Sequence, residues 1–194
     1  MVTTLTIFGA TDKRVVTYPL LKVLMHLGRV LIVTDDALYR RFDGEYGTNF
    51  EFENSEFIVV PKVDDSVIEM VKQKQGVFEY VVYITTNEVP QSDKVVCVRG
   101  INKGLPSLSV QEQLEKIENS QYIEALFTFE KVEDKKALKI TPSIKHYEYV
   151  TLCEDRKEFL ESKDVAFSSL ITTFFSEQLG LDKTKIKTVL GKEG

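Results

Sequence analysis

The sequence predicts an α/β protein: a three-layer sandwich in which a mostly parallel sheet carries helices on both faces. Three observations point there. Short, β-branched apolar runs alternate with stretches of helical periodicity along the chain, the pattern that βαβ units leave in sequence. One run, Tyr80-Val81-Val82-Tyr83-Ile84, is nearly all apolar, as a strand covered on both faces should be. No linker rich in Pro, Gly or Ser, no repeat and no low-complexity segment divides the 194 residues. A single domain over residues 1–194 is therefore expected, burying roughly 70% of the surface it exposes when unfolded.

Taken in order, Leu5-Thr6-Ile7-Phe8 reads as a strand that stops at Gly9. After a polar stretch, Pro19 to Leu27 carries apolar residues at helical spacing, with Pro19 suited to a first turn and Gly28 to the position past the end. Val30-Leu31-Ile32-Val33 is the second strand, closed by Asp35-Asp36, and the unit should pair its strands in parallel. Residues 39–56 set Gly44 and Gly47 among charges and aromatics, and read as an irregular surface excursion. Phe57-Ile58-Val59-Val60 is a strand ending at Pro61. Ser66-Val67-Ile68-Glu69 has the form of a capping box and opens a helix ending near Gly76. Tyr80–Ile84 and Val95–Val98 are strands, and Ser109-Val110-Gln111-Glu112 starts another helix. Tyr122–Phe129 and the shorter Leu138–Ile140 complete the predicted sheet. From about residue 154 the tail is helical, with a stripe of Val165, Phe167, Leu170, Ile171, Phe174, Phe175 and Leu179, then a last helix capped by Asp182.

Charge and composition exclude several function classes. Thirty acidic against 25 basic residues leave a net charge of −5, where a general nucleic-acid binder would carry a basic face. No apolar stretch reaches the ~20 residues of a membrane span, and the N-terminal residues lack a signal-peptide pattern. Cys97 and Cys153 stand far apart with no metal-type spacing, so both read as reduced thiols of a cytoplasmic protein. His26 and His146 share no metal-ligand spacing either.

Ligands of open α/β sheets bind outside the carboxyl ends of the strands. Three segments should converge there: Gly9–Tyr18, Thr34-Asp35-Asp36 and Thr85–Asp93. A phosphate site in the first loop needs inward backbone N–H groups and a helix N-terminus behind them. The loop supplies one glycine only, beside Val15 and Val16, which resist positive φ.

The span Phe8-Gly9-Ala10-Thr11-Asp12-Lys13-Arg14-Val15-Val16-Thr17-Tyr18, with its helix and the strand ending in Thr34-Asp35-Asp36, resembles the opening of the ParA/MinD-type P-loop ATPases. In that family a strand enters a deviant Walker A loop, Lys-Gly-Gly-x-Gly-Lys-Thr. Laid without gaps, the family's threonine falls on Thr17, its phosphate-binding lysine on Val16, its signature lysine on Thr11, and its glycines on Asp12, Lys13 and Val15. Phe78–Thr86 resembles the strand that ends in an aspartate, with Ile84 in that aspartate's place, and Ser92–Val98 resembles the strand that follows. Ile140-Thr141-Pro142 and the tail are similar more loosely. The resemblance implies a P-loop NTPase-like or Rossmann-like scaffold without the residues that transfer phosphate.

A second resemblance is to atypical short-chain NAD(P)-binding proteins, through Ile7-Phe8-Gly9-Ala10-Thr11 and Asp35. It implies a ribose contact at Asp35, although no Tyr-x-x-x-Lys pair is present. The expectation is a non-catalytic pseudo-ATPase that binds protein within a bacterial assembly (secretion, pilus, partition or polar complex), with no cofactor. Its partner is another protein or a second copy joined independently of nucleotide through the Phe-rich tail. The alternative is a nucleotide- or NAD(P)-binding protein using Gly9, Thr17 and Asp35. In the first loop, Val15 and Val16 should pack inward while Asp12, Lys13 and Arg14 face water.

Overall fold

The computed structural model describes residues 2–9, 13–42, 54–86, 88–100, 122–127, 144–147, 176 and 180–191. Seven strands form one sheet: β1 (Thr3–Phe8), β2 (Val30–Thr34), β3 (Ser55–Val59), β4 (Tyr80–Thr85), β5 (Lys94–Gly100), β6 (Tyr122–Phe127) and β7 (Ile144–Tyr147). Their order is β3-β2-β4-β1-β5-β6-β7, and each neighbouring pair is parallel. The described helices are α1 (Arg14–Leu27), α2 (Asp65–Lys74) and α3 (Lys183–Gly191). The fold is an α/β sandwich.

Strand alternation divides the core. Val30 and Ile32 of β2 join Leu5, Ile7, Val82 and Ile84 beneath α1, with Ile186 of α3 packed into the same layer. Leu31 and Val33 turn to the opposite face, against Val71 of α2, Val63 and Phe78. Each such side chain contributes about 1.5–3 kcal/mol when fully buried, so a one-residue slip of a central strand would exchange two apolar sets and is excluded.

The central strand β1 departs from that pattern. Leu5 and Ile7 are apolar and face α1, but Thr4 and Thr6 alternate with them on the other face. The reason is the connection from β4 to β5. Residues 88–93 contain no helix and run along β1 as an extended strap. The Thr6 hydroxyl, fully buried, bonds Ser92 Oγ at 2.6 Å and donates to the Pro90 carbonyl at 3.3 Å. Below it, the Thr4 N–H and hydroxyl donate to Asp93 Oδ2 at 2.8 and 2.9 Å, and the Asp93 N–H donates back to Thr4 Oγ1 at 2.9 Å. A strap covers a strand with peptide groups rather than an apolar helix face, so the strand beneath it carries hydroxyls. The Thr4 N–H, then its hydroxyl, hold the Asp93 carboxyl below its ordinary value near 3.8.

Several boundaries differ from the sequence expectation. Helix α1 starts at Arg14, five residues before Pro19. Pro19 therefore sits beyond the first turn and forgoes one helical hydrogen bond. The earlier start is set by the Lys13 carbonyl, which accepts from the Val16 and Thr17 N–H groups at 3.0 and 2.9 Å. At α2 the cap is Asp64 rather than Ser66: Asp64 Oδ1 accepts from the Ser66 and Val67 N–H groups, both at 3.1 Å, and from the Ser66 hydroxyl at 2.6 Å. A carboxylate outcompetes a hydroxyl for these amides, and the Ser66 hydroxyl followed by the Val67 amide holds Asp64 below its usual range. The stretch 39–56 begins inward, because Tyr39 and Phe42 lie in a 3-10 turn (Ala37–Phe42) and are buried. Their rings pack edge-on against Tyr18 at 6.3 and 6.4 Å, and Phe42 meets Phe57 at 5.3 Å. Residues 43–53, the predicted helix from 109, the strand at 138–140, and the Phe-rich stripe 165–179 apart from Ser176 lie outside the described residues. Among the described residues no helix is long and apolar enough to cross a membrane.

Candidate functional site

The parallel strands bring their carboxyl ends to one edge, and hydrogen bonds lace three of those ends together. The Gly9 N–H, just past β1, donates to the Thr85 carbonyl at the end of β4 at 3.3 Å. The Thr86 N–H and hydroxyl donate to Asp35 Oδ1, just past β2, at 2.8 and 3.0 Å. The predicted convergence of the loops after β1, β2 and β4 is thus present.

Beside it lies a buried cation. Lys13, the N-cap of α1, is 1% exposed, where the sequence reading set it in water. Its ammonium donates to the Gly9 carbonyl at 2.8 Å and pairs with Asp36 Oδ2 at 2.9 Å. The expectation fails because a carboxylate is held in reach: Asp36 Oδ1 accepts the Leu38 N–H at 3.0 Å, and the Thr34 hydroxyl accepts the Asp36 N–H at 3.0 Å. A buried ammonium requires such a partner. Asp35 and Asp36, adjacent in sequence, serve different neighbours, one on β4 and one on the first loop. They do not form a joint cation site, and among the described residues no group of three His, Cys, Asp or Glu could hold a metal.

Thr17 is also committed. It is fully buried, one turn into α1, and its hydroxyl shares a 2.6 Å hydrogen bond with the Tyr39 hydroxyl. Val16, where the gapless comparison set the phosphate-binding lysine, is fully buried in the core beneath α1. Gly9 answers to packing. Its φ is +141°, and a Cβ there would stand 2.3 Å from the Val98 carbonyl oxygen of β5, so the residue is required by the close approach of two strands.

The other side of the edge is open. Asp35, Arg40, Val59, Val60 and Pro61 line a pocket of about 350 Å³ beyond the ends of β2 and β3. Asp35 Oδ1 is saturated by Thr86, but Oδ2 is buried and has no hydrogen-bond partner. Gly9 and Thr17 therefore belong to the closed part of the edge, and Asp35 borders the open part. Sequence reading missed Asp36, Tyr39 and Arg40. The available signal was the Asp-Asp pair after a strand, whose members must point different ways.

The remaining candidates sit elsewhere. Cys97 is buried against Phe8, with Val89 beside them, as a core residue. His26 is exposed in the last turn of α1, and His146 lies in β7. Cys153 falls outside the described residues.

No protein-family model matches the chain, and no curated protein matches it significantly. Among solved structures it is similar to FlhF complexed with GMPPNP and Mg²⁺, at 12% identity and a TM-score of 0.37. That likeness covers 64% of this chain and 55% of the other, and it transfers no residue role.

Proposed function

We propose that the chain is a pseudo-ATPase of ParA/MinD type, without catalysis, that acts as a protein-binding component of a bacterial assembly. The observation that carries this reading is the Lys13–Asp36 pair. In a working phosphate loop the lysine's charge and the loop's backbone meet the nucleotide's phosphates. Here the lysine's charge is received by Asp36 and the Gly9 carbonyl. A phosphate at this point would confront the Asp36 carboxylate, and expelling it would expose an unpaired buried charge. Thr17, which would hold Mg²⁺ in the family, is bonded to Tyr39. With phosphate chemistry removed, recognition is what the scaffold retains.

Isothermal titration with ATP, ADP, NAD and NADP tests the reading. No heat of binding is expected, and micromolar binding of any of the four would overturn it. A pull-down from the native host would then identify the partner. One observation favours a second reading, a nucleotide or NAD(P) ligand on Gly9, Thr17 and Asp35: the unpartnered Asp35 Oδ2 beside an open pocket. The same titration decides between the two.

A further inference from the structure

We propose that the pocket beyond β2 and β3 binds a small zwitterion of the α-amino-acid class, its ammonium on Asp35 Oδ2 and its carboxylate on Arg40. The inference stands apart from the pseudo-ATPase reading, because the pocket lies outside the Lys13–Asp36 closure.

Four observations specify the occupant. Asp35 Oδ2 is buried without a partner, while Oδ1 is anchored by two hydrogen bonds from Thr86. The carboxylate is thereby fixed in orientation, with one acceptor left over. An ionised carboxylate only accepts, so the occupant must donate, and a cationic donor compensates a buried negative oxygen far better than a neutral hydroxyl. Arg40 lines the same pocket with an exposed side chain, and among the described residues it forms no salt bridge with Asp35. Two opposite charges bordering one pocket, left unpaired with each other, fit a ligand that carries both. A guanidinium's fork of N–H donors matches a carboxylate in bidentate fashion.

The rest of the lining named above is apolar: Val59, Val60 and Pro61. It offers a wall for an aliphatic or aromatic side chain. The volume, about 350 Å³, is at the low end of small-molecule pockets, roughly 300–1,000 Å³. A bare divalent cation is disfavoured, since Ca²⁺ takes about 6–8 oxygen ligands and no group of three candidate ligands exists among the described residues. A dinucleotide would have to extend over the first loop, where Lys13 and Asp36 already neutralise each other.

The test is isothermal titration and ligand-observed NMR on the full chain with each of the twenty amino acids. Each amino acid that binds is compared with the amine lacking its carboxylate and the acid lacking its ammonium. At least one apolar amino acid is expected to bind with a Kd of about 1 mM or tighter, and both truncated analogues at least about tenfold more weakly. Asp35→Asn keeps the Oδ1 acceptor for Thr86 and should weaken binding by about tenfold or more. Arg40→Gln alters an exposed side chain, so it leaves the fold intact, and should weaken binding similarly. Lys72→Gln on α2 should change nothing. The proposal falls if no amino acid binds, if an amine binds as well as its amino acid, or if Arg40→Gln leaves affinity unchanged. Binding of ATP or NAD that is lost in Asp35→Asn would overturn both this proposal and the pseudo-ATPase reading. Absence of amino-acid binding with no nucleotide binding would overturn this one alone.

Discussion

Lys13 holds a full charge at 1% exposure because Asp36 and the Gly9 carbonyl receive it. Breaking such a pair from one side leaves the other charge buried and alone, at about 3–5 kcal/mol. Lys13→Met and Asp36→Leu should therefore each lower the urea midpoint strongly. The double variant should lose much less than the two losses added, since neither charge is then stranded. Simple additivity in that cycle would show that the two groups do not depend on each other. Gly9→Ala should also destabilise, by about 2–4 kcal/mol from overpacking plus strain, because its Cβ would enter the Val98 carbonyl at a φ of +141°. Unfolding midpoints with an unchanged m value would register it. Little of this was legible beforehand. A lysine just ahead of a helix is ordinarily solvated, and nothing local in the sequence says that a carboxylate 23 positions on folds against it. Gly9 was singled out for the flexibility that phosphate loops need, whereas the demand comes from β5, a strand distant in sequence.

The elements were far more readable, since periodicity is a local property. The strand cores at Leu5–Phe8, Val30–Val33 and Tyr80–Ile84 lie within observed strands, because buried β-branched runs admit few other placements. The strap over β1 was not foreseen. Its hydroxyl partners are small polar residues that, read singly, suggest a loop, and only the pairing of Thr4 and Thr6 with Ser92 and Asp93 gives them meaning. The strap also makes a pH prediction. Asp93 ionises more readily folded than unfolded, so the folded state binds fewer protons there. Its stabilisation is complete above the ordinary value near 3.8 and is lost as the pH falls through the lower, folded value. Thr4→Val removes the hydroxyl donor, which should move the folded pKa back toward 3.8 and flatten the acid loss. Urea midpoints followed from about pH 6 to about pH 2 should show the shallower slope. An identical slope would mean that the backbone N–H alone sets the carboxyl.

At the scale of the molecule, an all-parallel seven-stranded sheet with α1 and α2 on opposite faces is the architecture that the alternating pattern predicts. ParA/MinD relatives pair across their nucleotide, so the pseudo-ATPase reading expects that trigger to be absent. Light scattering with and without ATP and Mg²⁺ should report the same mass, and an ATP-driven shift from monomer to dimer would contradict the reading. Any dimer would then need an apolar surface of its own, and the Phe-rich stretch 165–179 is the expected candidate.

The place of β1 in the middle of the sheet has a consequence for synthesis. Its neighbours are β4 and β5, and Thr4 meets Asp93 89 residues further along the chain. At about 5–20 residues per second, the first strand to leave the ribosome waits roughly 4–18 s for the last segment that flanks it. Over that interval it is an unpaired strand, the form in which nascent chains associate wrongly. An apolar β1 on both faces would be a hazard then. Thr4 and Thr6 make one face polar throughout the wait, and the same hydroxyls later receive the strap that ends it.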